Sequence, residues 1–150
     1  MKPSSLAFVF ALACLLKFEF AAASQTINQH AWHDRLLVVF AADSTSAQLA
    51  AQRTAIADIG PGFAQRNLVL VEVIGESVTG ASDSAAELRR RYGVKANTFR
   101  ALLIGKDGGV KIDSPQAIMP QQLISTIDAM PMRRQEAREQ AVTGEAHKDQ

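Results

Sequence analysis

Cysteine is almost missing from this sequence: its 150 residues contain one, Cys14. That residue lies within Leu6–Leu16, an unbroken apolar run of eleven residues that follows Lys2 and precedes Ala21-Ala22-Ala23. A positive charge, a short apolar run and small residues, in this order, are typical of a secretory signal peptide. We therefore expect cleavage after Ala23 and a periplasmic or secreted chain without a thiol, which excludes disulfides and thiol catalysis.

Two alternatives for the N-terminal segment remain open. Residues 1–23 can also be interpreted as an uncleaved amphipathic anchor. Lys17 and Glu19 lie between the apolar run and Ala21, so the cleavage site itself can shift by a few residues. The stretch Ala11-Leu12-Ala13-Cys14 can be interpreted as a lipoprotein signal, with Cys14 acylated as the new N-terminus. The mass of the exported protein separates these alternatives from cleavage at Ala23.

The sequence also lacks an excess of one charge and a long apolar run. Sixteen basic and fifteen acidic side chains give a net charge of +1, so we expect no binding to nucleic acid, which relies on a strong positive excess. No apolar run reaches the roughly 18 to 20 residues that span a bilayer, so we expect no transmembrane segment in the mature chain. The 47% of hydrophobic residues suffices for one core. We expect an N-terminal arm over 24–34, one domain over 35–139 and a disordered tail over 140–150.

The first half of the domain has the pattern of a strand, a helix and a second strand. Leu36–Phe40 is apolar at five consecutive positions, which is typical of a strand buried on both faces of a sheet. Apolar residues at helical spacing predict a helix over 46–59, which ends before Gly60-Pro61-Gly62. Leu68–Ile74 is rich in β-branched residues and predicts the second strand. A strand, a helix and a strand of these lengths form a right-handed βαβ unit.

A loop and a short helix follow. Residues 75–83 are small and polar, which predicts a loop. Ser84 and Glu87 have the spacing of a capping box, and Gly93 is typical of a left-handed residue that ends a helix.

The second half of the domain has the pattern of a hairpin followed by a helix. Phe99–Ile104 predicts a third strand, Lys106–Gly109 a tight turn, and Val110–Asp113 an edge strand. Pro120 is suited to the first position of a last helix, and Pro131 stops or bends it. The sequence therefore predicts an α/β domain with a central mixed sheet of about four strands and flanking helices.

This order of elements resembles the thioredoxin fold over residues 35–130, a three-layer sandwich. Four stretches resemble the family called domain of unknown function 4174, which is mostly bacterial and exported and has no settled activity: Arg35–Ala41, Glu87–Val94, Gly105–Lys111 and Ile127–Glu136. The resemblance therefore implies a fold and export, and no particular reaction.

Alignment with the thioredoxin fold implies that the redox site is lost. Thr45 and Gln48 take the places of the two active cysteines, and neither side chain can form a thiolate. Arg100 lies near the place of the cis-proline that presents substrate, and we expect a trans peptide there because a non-proline cis bond costs ~3 kcal/mol. We expect no redox activity and no cofactor.

Basic residues near the C-terminus form one candidate site. Arg133 and Arg134, with Arg138 four residues beyond and with Lys106 and Lys111 of the hairpin, are suited to holding a carboxylate or phosphate. The alternative is a solvated charged helix in which Arg134 pairs with Glu136.

The start of the first helix forms a second candidate site. Ser44, Thr45 and Ser46 lie where free backbone N–H groups favour an anion, although helix capping also explains them. The capping box accounts for Ser84 without a nucleophilic role.

His30 and His33, followed by Asp34, have a spacing that two metal ligands on one helical turn would have. The segment lacks a helical pattern and a second cluster of ligands, so we expect no metal site. Trp32 between the two histidines is expected to anchor the arm onto the sheet.

These observations favour a binding or accessory module whose partner is an unknown protein or a small anionic ligand. We predict no catalytic residues. The alternative is a hydrolase or transferase that uses Asp43, Arg100 and the arginine pair. The predicted binding residues are Thr45, Gln48, Arg100, Arg133 and Arg134.

Overall fold

A computed structural model of the chain describes residues 25–146. The predicted signal peptide and its alternatives at residues 1–23, and the last four residues of the predicted tail, lie outside this range. Within the described range, no helix is both long enough and apolar enough to cross a bilayer.

A mixed sheet of five strands forms the middle layer, in the order β3-β2-β1-β4-β5. β1 is parallel to β2, and the other neighbouring pairs are antiparallel. All seven residues of β1 are buried, as the apolar run predicted for a strand covered on both faces. The strands are β1 (Arg35–Ala41), β2 (Leu68–Ile74), β3 (Ser77–Thr79), β4 (Arg100–Ile104) and β5 (Val110–Ser114).

The fifth strand, β3, corrects the expectation of about four strands and of a loop over 75–83. It pairs with the end of β2, and Val78 is its half-buried residue between two exposed ones. Three residues are too few to show a strand period in sequence, so only the pairing with β2 reveals the strand.

Helices cover both faces of the sheet and complete the three-layer sandwich. Alternate residues of β1 point to opposite faces: Phe40 packs on the side of α3, while Val39 packs on the side of α1 and α4. The helices are α1 (Ala47–Ile59), α2 (Gly62–Gln65), α3 (Ala85–Tyr92), α4 (Pro120–Asp128) and α5 (Pro131–Ala146).

The helix ends confirm the predicted capping residues. The hydroxyl of Ser46 accepts a hydrogen bond from the backbone N–H of Leu49 at the start of α1. Ser84 and Glu87 form both halves of the capping box at α3, and Gly93 ends that helix with a φ of 64°. Pro120 occupies the first turn of α4. Local sequence signals therefore located these ends correctly.

The chain beyond Pro131 is a helix, because proline fits the first turn of α5 and so begins a new helix where α4 has ended. α5 continues to Ala146, past residue 140, where the sequence predicted the tail to begin. Arg133 and Glu136 are half-buried on this helix, whereas residues 137–143 are exposed. α5 therefore touches the domain mainly through its first two turns.

The expectation that Trp32 anchors the N-terminal arm is wrong: its side chain is 66% exposed. The arm contains a 3-10 helix, Ile27–His30, in which the two buried residues are Ile27 and His30. Residues three apart lie on the same face of a 3-10 helix, so these two reach the domain together. Trp32 follows with a φ of 69° and does not share that buried face.

Candidate functional site

A buried arginine stands at the start of the central strand. Arg35, the first residue of β1, is 0% exposed, because β2 and β4 flank its strand and α5 covers its side chain. Its two terminal nitrogens each donate to one carboxylate oxygen of Glu136 on α5, both at 3.1 Å. Nη1 also donates to the backbone oxygen of Arg66 at 2.8 Å. This forked ion pair joins β1 to α5.

Two more cations converge on the same carboxylate. Lys106 Nζ lies 2.8 Å from Glu136 Oε1, and Arg133 Nη1 lies 3.8 Å from Glu136 Oε2. Arg133 also approaches Asp128 at 3.5 Å, and Arg66 forks onto Asp128 at 2.7 and 2.9 Å. We call these six residues the Arg35–Glu136 cluster: Arg35, Arg66, Lys106, Asp128, Arg133 and Glu136. It contains four cations and two carboxylates and therefore carries excess positive charge.

Both carboxylates of the cluster have lowered pKa values. Burial acts to raise the pKa of Glu136, but hydrogen bonds from Arg35 and Lys106 and the charges of these two residues outweigh burial and hold it below its ordinary 4.5. Hydrogen bonds from Arg66 lower the pKa of Asp128, and the charges of Arg66 and Arg133 add to this effect. Both groups are therefore carboxylates at neutral pH.

A cavity of about 210 Å³ opens beside the cluster, between the β4–β5 hairpin and the junction of α4 with α5. Its cationic side includes Lys111, whose Nζ lies 2.6 Å from Asp107. A Cβ on Gly105 would lie 2.6 Å from Lys111 Cε, so the missing side chain of this glycine makes room for the lysine. The lining residues are Arg35, Gly105, Lys106, Asp107, Lys111 and Met130–Met132.

Three of the five predicted site residues lie near the carboxyl end of β1. Thr45 donates its hydroxyl and its backbone N–H to Asp43 at 2.6 and 2.8 Å. The Gln48 side chain accepts from the backbone N–H of Ala117 at 2.8 Å. Arg100 pairs with Phe40 across β1 and β4 and forks onto Asp113. Its peptide bond is trans, as expected, like the other peptide bonds of residues 25–146.

The other two predicted residues lie on α5, near the amino end of β1. Arg133 belongs to the Arg35–Glu136 cluster. Arg134 does not pair with Glu136; it donates to the backbone oxygen of Ala129, at 2.9 Å from Nη2. Arg35 and the partner of Arg100 are five residues apart along β1, a span of about 16 Å. The structure therefore divides the predicted residues between two ends of the sheet, and Asp43 and Arg100 do not meet the arginine pair.

The two histidines do not share a site. His30 is buried and its Nδ1 lies 2.8 Å from Asp34 Oδ2, whereas His33 is exposed. Among the residues that the structure describes, no group of three or more His, Cys, Asp or Glu side chains is arranged to hold a metal ion.

Arg35, the central residue of the cluster, is not among the site residues predicted from the sequence. The available signal was a charged residue at the first position of an apolar strand that is buried on both faces. A buried arginine requires a partner for its charge, so this pattern predicts that Arg35 pairs with a carboxylate elsewhere in the chain. It does not say which one, because Glu136 is 101 residues away.

These features define an α/β three-layer domain with a cation-rich buried cluster beside a cavity and no cysteine in the described part of the chain. The family described as domain of unknown function DUF4174 matches residues 26–136. The chain therefore belongs to that family. No curated protein matches the sequence. The family match ends at Glu136, the residue that closes the ion pair with Arg35.

Proposed function

We propose that this protein is an exported binding or accessory module of thioredoxin-like layout that performs no thiol chemistry and holds a small anionic ligand. The observation that carries the proposal is the surplus of cations beside the cavity, where Lys106 and Lys111 line one side. Cations that outnumber the nearby carboxylates favour an added anion.

The absence of thiol chemistry is supported by the residues at the start of α1. Thr45 and Gln48 are engaged in hydrogen bonds with Asp43 and with the backbone of Ala117. Cys14 lies in the segment whose removal we propose. Thiol–disulfide exchange requires a thiolate, and the proposed mature chain contains none.

Export is tested by the mass of the protein recovered from the periplasm or the medium. A species that begins at Ser24 and does not react with a maleimide is expected. A species that retains Cys14, acylated or free, would contradict the proposed cleavage and reopen a thiol or lipid-anchored role.

Anion binding is tested by titrating the mature protein with acetate and inorganic phosphate at low ionic strength. We expect saturable binding that weakens in Lys111→Gln, because this lysine lines the cavity. The matched control is Lys95→Gln. Lys95 is exposed and lies at the other end of the sheet from the cavity. Its backbone oxygen accepts a hydrogen bond from Arg89, which also donates to the Ala41 backbone oxygen at the carboxyl end of β1. Equal losses of affinity in both variants would show that binding depends only on the overall surface charge and would contradict a site at the cavity.

A further inference from the structure

The cavity beside the Arg35–Glu136 cluster has two chemically different sides. Lys106 and Lys111 of the β4–β5 hairpin line one side, together with Arg35 of β1. Met130, Pro131 and Met132 line the other, and most of the accessible lining is apolar. A ligand that fills this space therefore needs an anionic end and an apolar body.

The two lysines differ in how readily they can exchange their partners. Lys106 is largely buried and is shared between Glu136 at 2.8 Å and Asn67 at 3.3 Å. Lys111 pairs with Asp107, and these side chains are 33% and 46% exposed. An exposed ion pair contributes little, because water screens it. A ligand carboxylate can therefore replace Asp107 as the partner of Lys111 at a small cost in free energy, while Lys106 remains paired with Glu136.

The size of the cavity limits the apolar body. Its volume of about 210 Å³ exceeds the ~150 Å³ of an apolar protein cavity that accepts benzene. One ring or a short alkyl chain fits, and the flexible methionine side chains can adapt to either shape.

Resting on the proposed function, we infer that the cavity binds a small monocarboxylate with an apolar body of about the size of one ring. The carboxylate pairs with Lys111 at the hairpin, and the body packs against Met130 and Met132. A single negative charge suits the site because Asp107 and Glu136 already stand beside the lysines and oppose further anionic groups.

The test is calorimetric titration of the mature protein with benzoate and hexanoate, compared with acetate and with benzamide. Benzamide keeps the ring and loses the charge, whereas acetate keeps the charge and loses the body. We expect benzoate and hexanoate to bind at least about tenfold more tightly than either comparison ligand, since a charge-assisted hydrogen bond and a buried ring each contribute about that factor.

Variants of each side of the cavity assign the two contributions. Lys111→Gln should reduce benzoate affinity about tenfold and leave benzamide unaffected. Met132→Ser should weaken both ring compounds and leave acetate unaffected. Met119→Ser is the matched control, because Met119 is exposed and lies outside the lining. Thermal unfolding of each variant checks that the fold is intact.

Gly105→Ala tests the position of Lys111 without removing its charge. The added Cβ would meet Lys111 Cε at 2.6 Å and Asp107 Oδ1 at 2.8 Å, and both side chains are flexible enough to move aside. Benzoate affinity should therefore fall while the stability changes little.

The outcomes separate the two proposals. If acetate or phosphate binds as tightly as benzoate and depends on Lys111, the ligand class is wrong while the anion site stands. If benzamide binds as tightly as benzoate, the carboxylate has no role and the inference fails. If no anion shows binding that depends on Lys111, the inference and the proposed anion binding both fail.

Discussion

The ion pair between Arg35 and Glu136 allows a quantitative test of what holds α5 on the domain. In Glu136→Ala, Arg35, which is 0% exposed in the native chain, would lose two hydrogen bonds and its counter-charge. Lys106 would stay close, and its like charge would add to the cost. The remaining hydrogen bond to the Arg66 backbone satisfies only one of the donors.

Removing one partner of a buried ion pair costs about 3–5 kcal/mol. The side chain of Glu136 is 18% exposed, so water can reach the space that it leaves, and we expect the lower end, about 3 kcal/mol. That is a large fraction of the 5–15 kcal/mol that stabilises a typical domain. Urea unfolding at pH 7, followed by circular dichroism, should therefore show a clearly lower midpoint with little change in slope.

Two variants make this test specific. Glu139→Ala removes an exposed glutamate from the same helix and should change the free energy of unfolding by less than about 0.5 kcal/mol. Arg35→Met combined with Glu136→Leu removes both charges and should recover most of the loss. Equal effects of Glu136→Ala and Glu139→Ala would refute the reasoning, because the cost would then come from the helix and not from the buried arginine.

Three further predictions concern the fold. Gly80→Ala should lower the free energy of unfolding by at least about 2 kcal/mol in urea titrations. The φ of 84° is strained for alanine, and the new Cβ would lie 2.1 Å from the Leu70 backbone oxygen. A change below about 0.5 kcal/mol would contradict this prediction. Tyr92→Phe should raise the melting temperature, since the buried hydroxyl has no hydrogen-bond partner among the described residues and its burial costs about 1 kcal/mol. A clear decrease in the melting temperature would contradict this prediction and indicate that the hydroxyl does have a hydrogen-bond partner. Stability should fall as the pH drops below about 4.5, because the unfolded chain binds protons there while Glu136, whose pKa is lowered, does not. Acid titration of unfolding should be less steep in Glu136→Gln, and an unchanged slope would contradict the assignment.

Much of the fold was predictable from local patterns, and the reason is visible at particular elements. The five apolar residues of Leu36–Phe40 predict burial on both faces, and β1 is the middle strand of the sheet. Ser46 and Ser84 begin helices, and Gly93 ends one, because their side chains, or the lack of one, act within a few residues. β3 was missed because three residues carry no period and depend on β2 for their pairing.

The candidate site was less accessible to sequence reasoning. The sequence predicts that Lys106, Lys111, Arg133 and Arg134 belong to one basic group. The structure places the first three at the cavity or in the Arg35–Glu136 cluster, whereas Arg134 binds the Ala129 backbone oxygen. Alignment with the thioredoxin fold predicts Thr45 and Arg100, and these two residues lie at the other end of the sheet. Arg35 was missed because its importance depends on Glu136, which is distant in sequence.

The sequence by itself therefore determined the order of the main elements, the central strand and most helix ends, since each depends on short-range periodicity, capping or composition. It also indicated a group of basic residues on the hairpin and α5. Only the tertiary structure decided that Arg35 is buried against Glu136, that a cavity opens beside them and that the predicted site residues are divided between two ends of the sheet. The physical reason is range: side-chain burial and ion pairing are set by residues that are far apart in the chain and meet only when the sheet and α5 pack together.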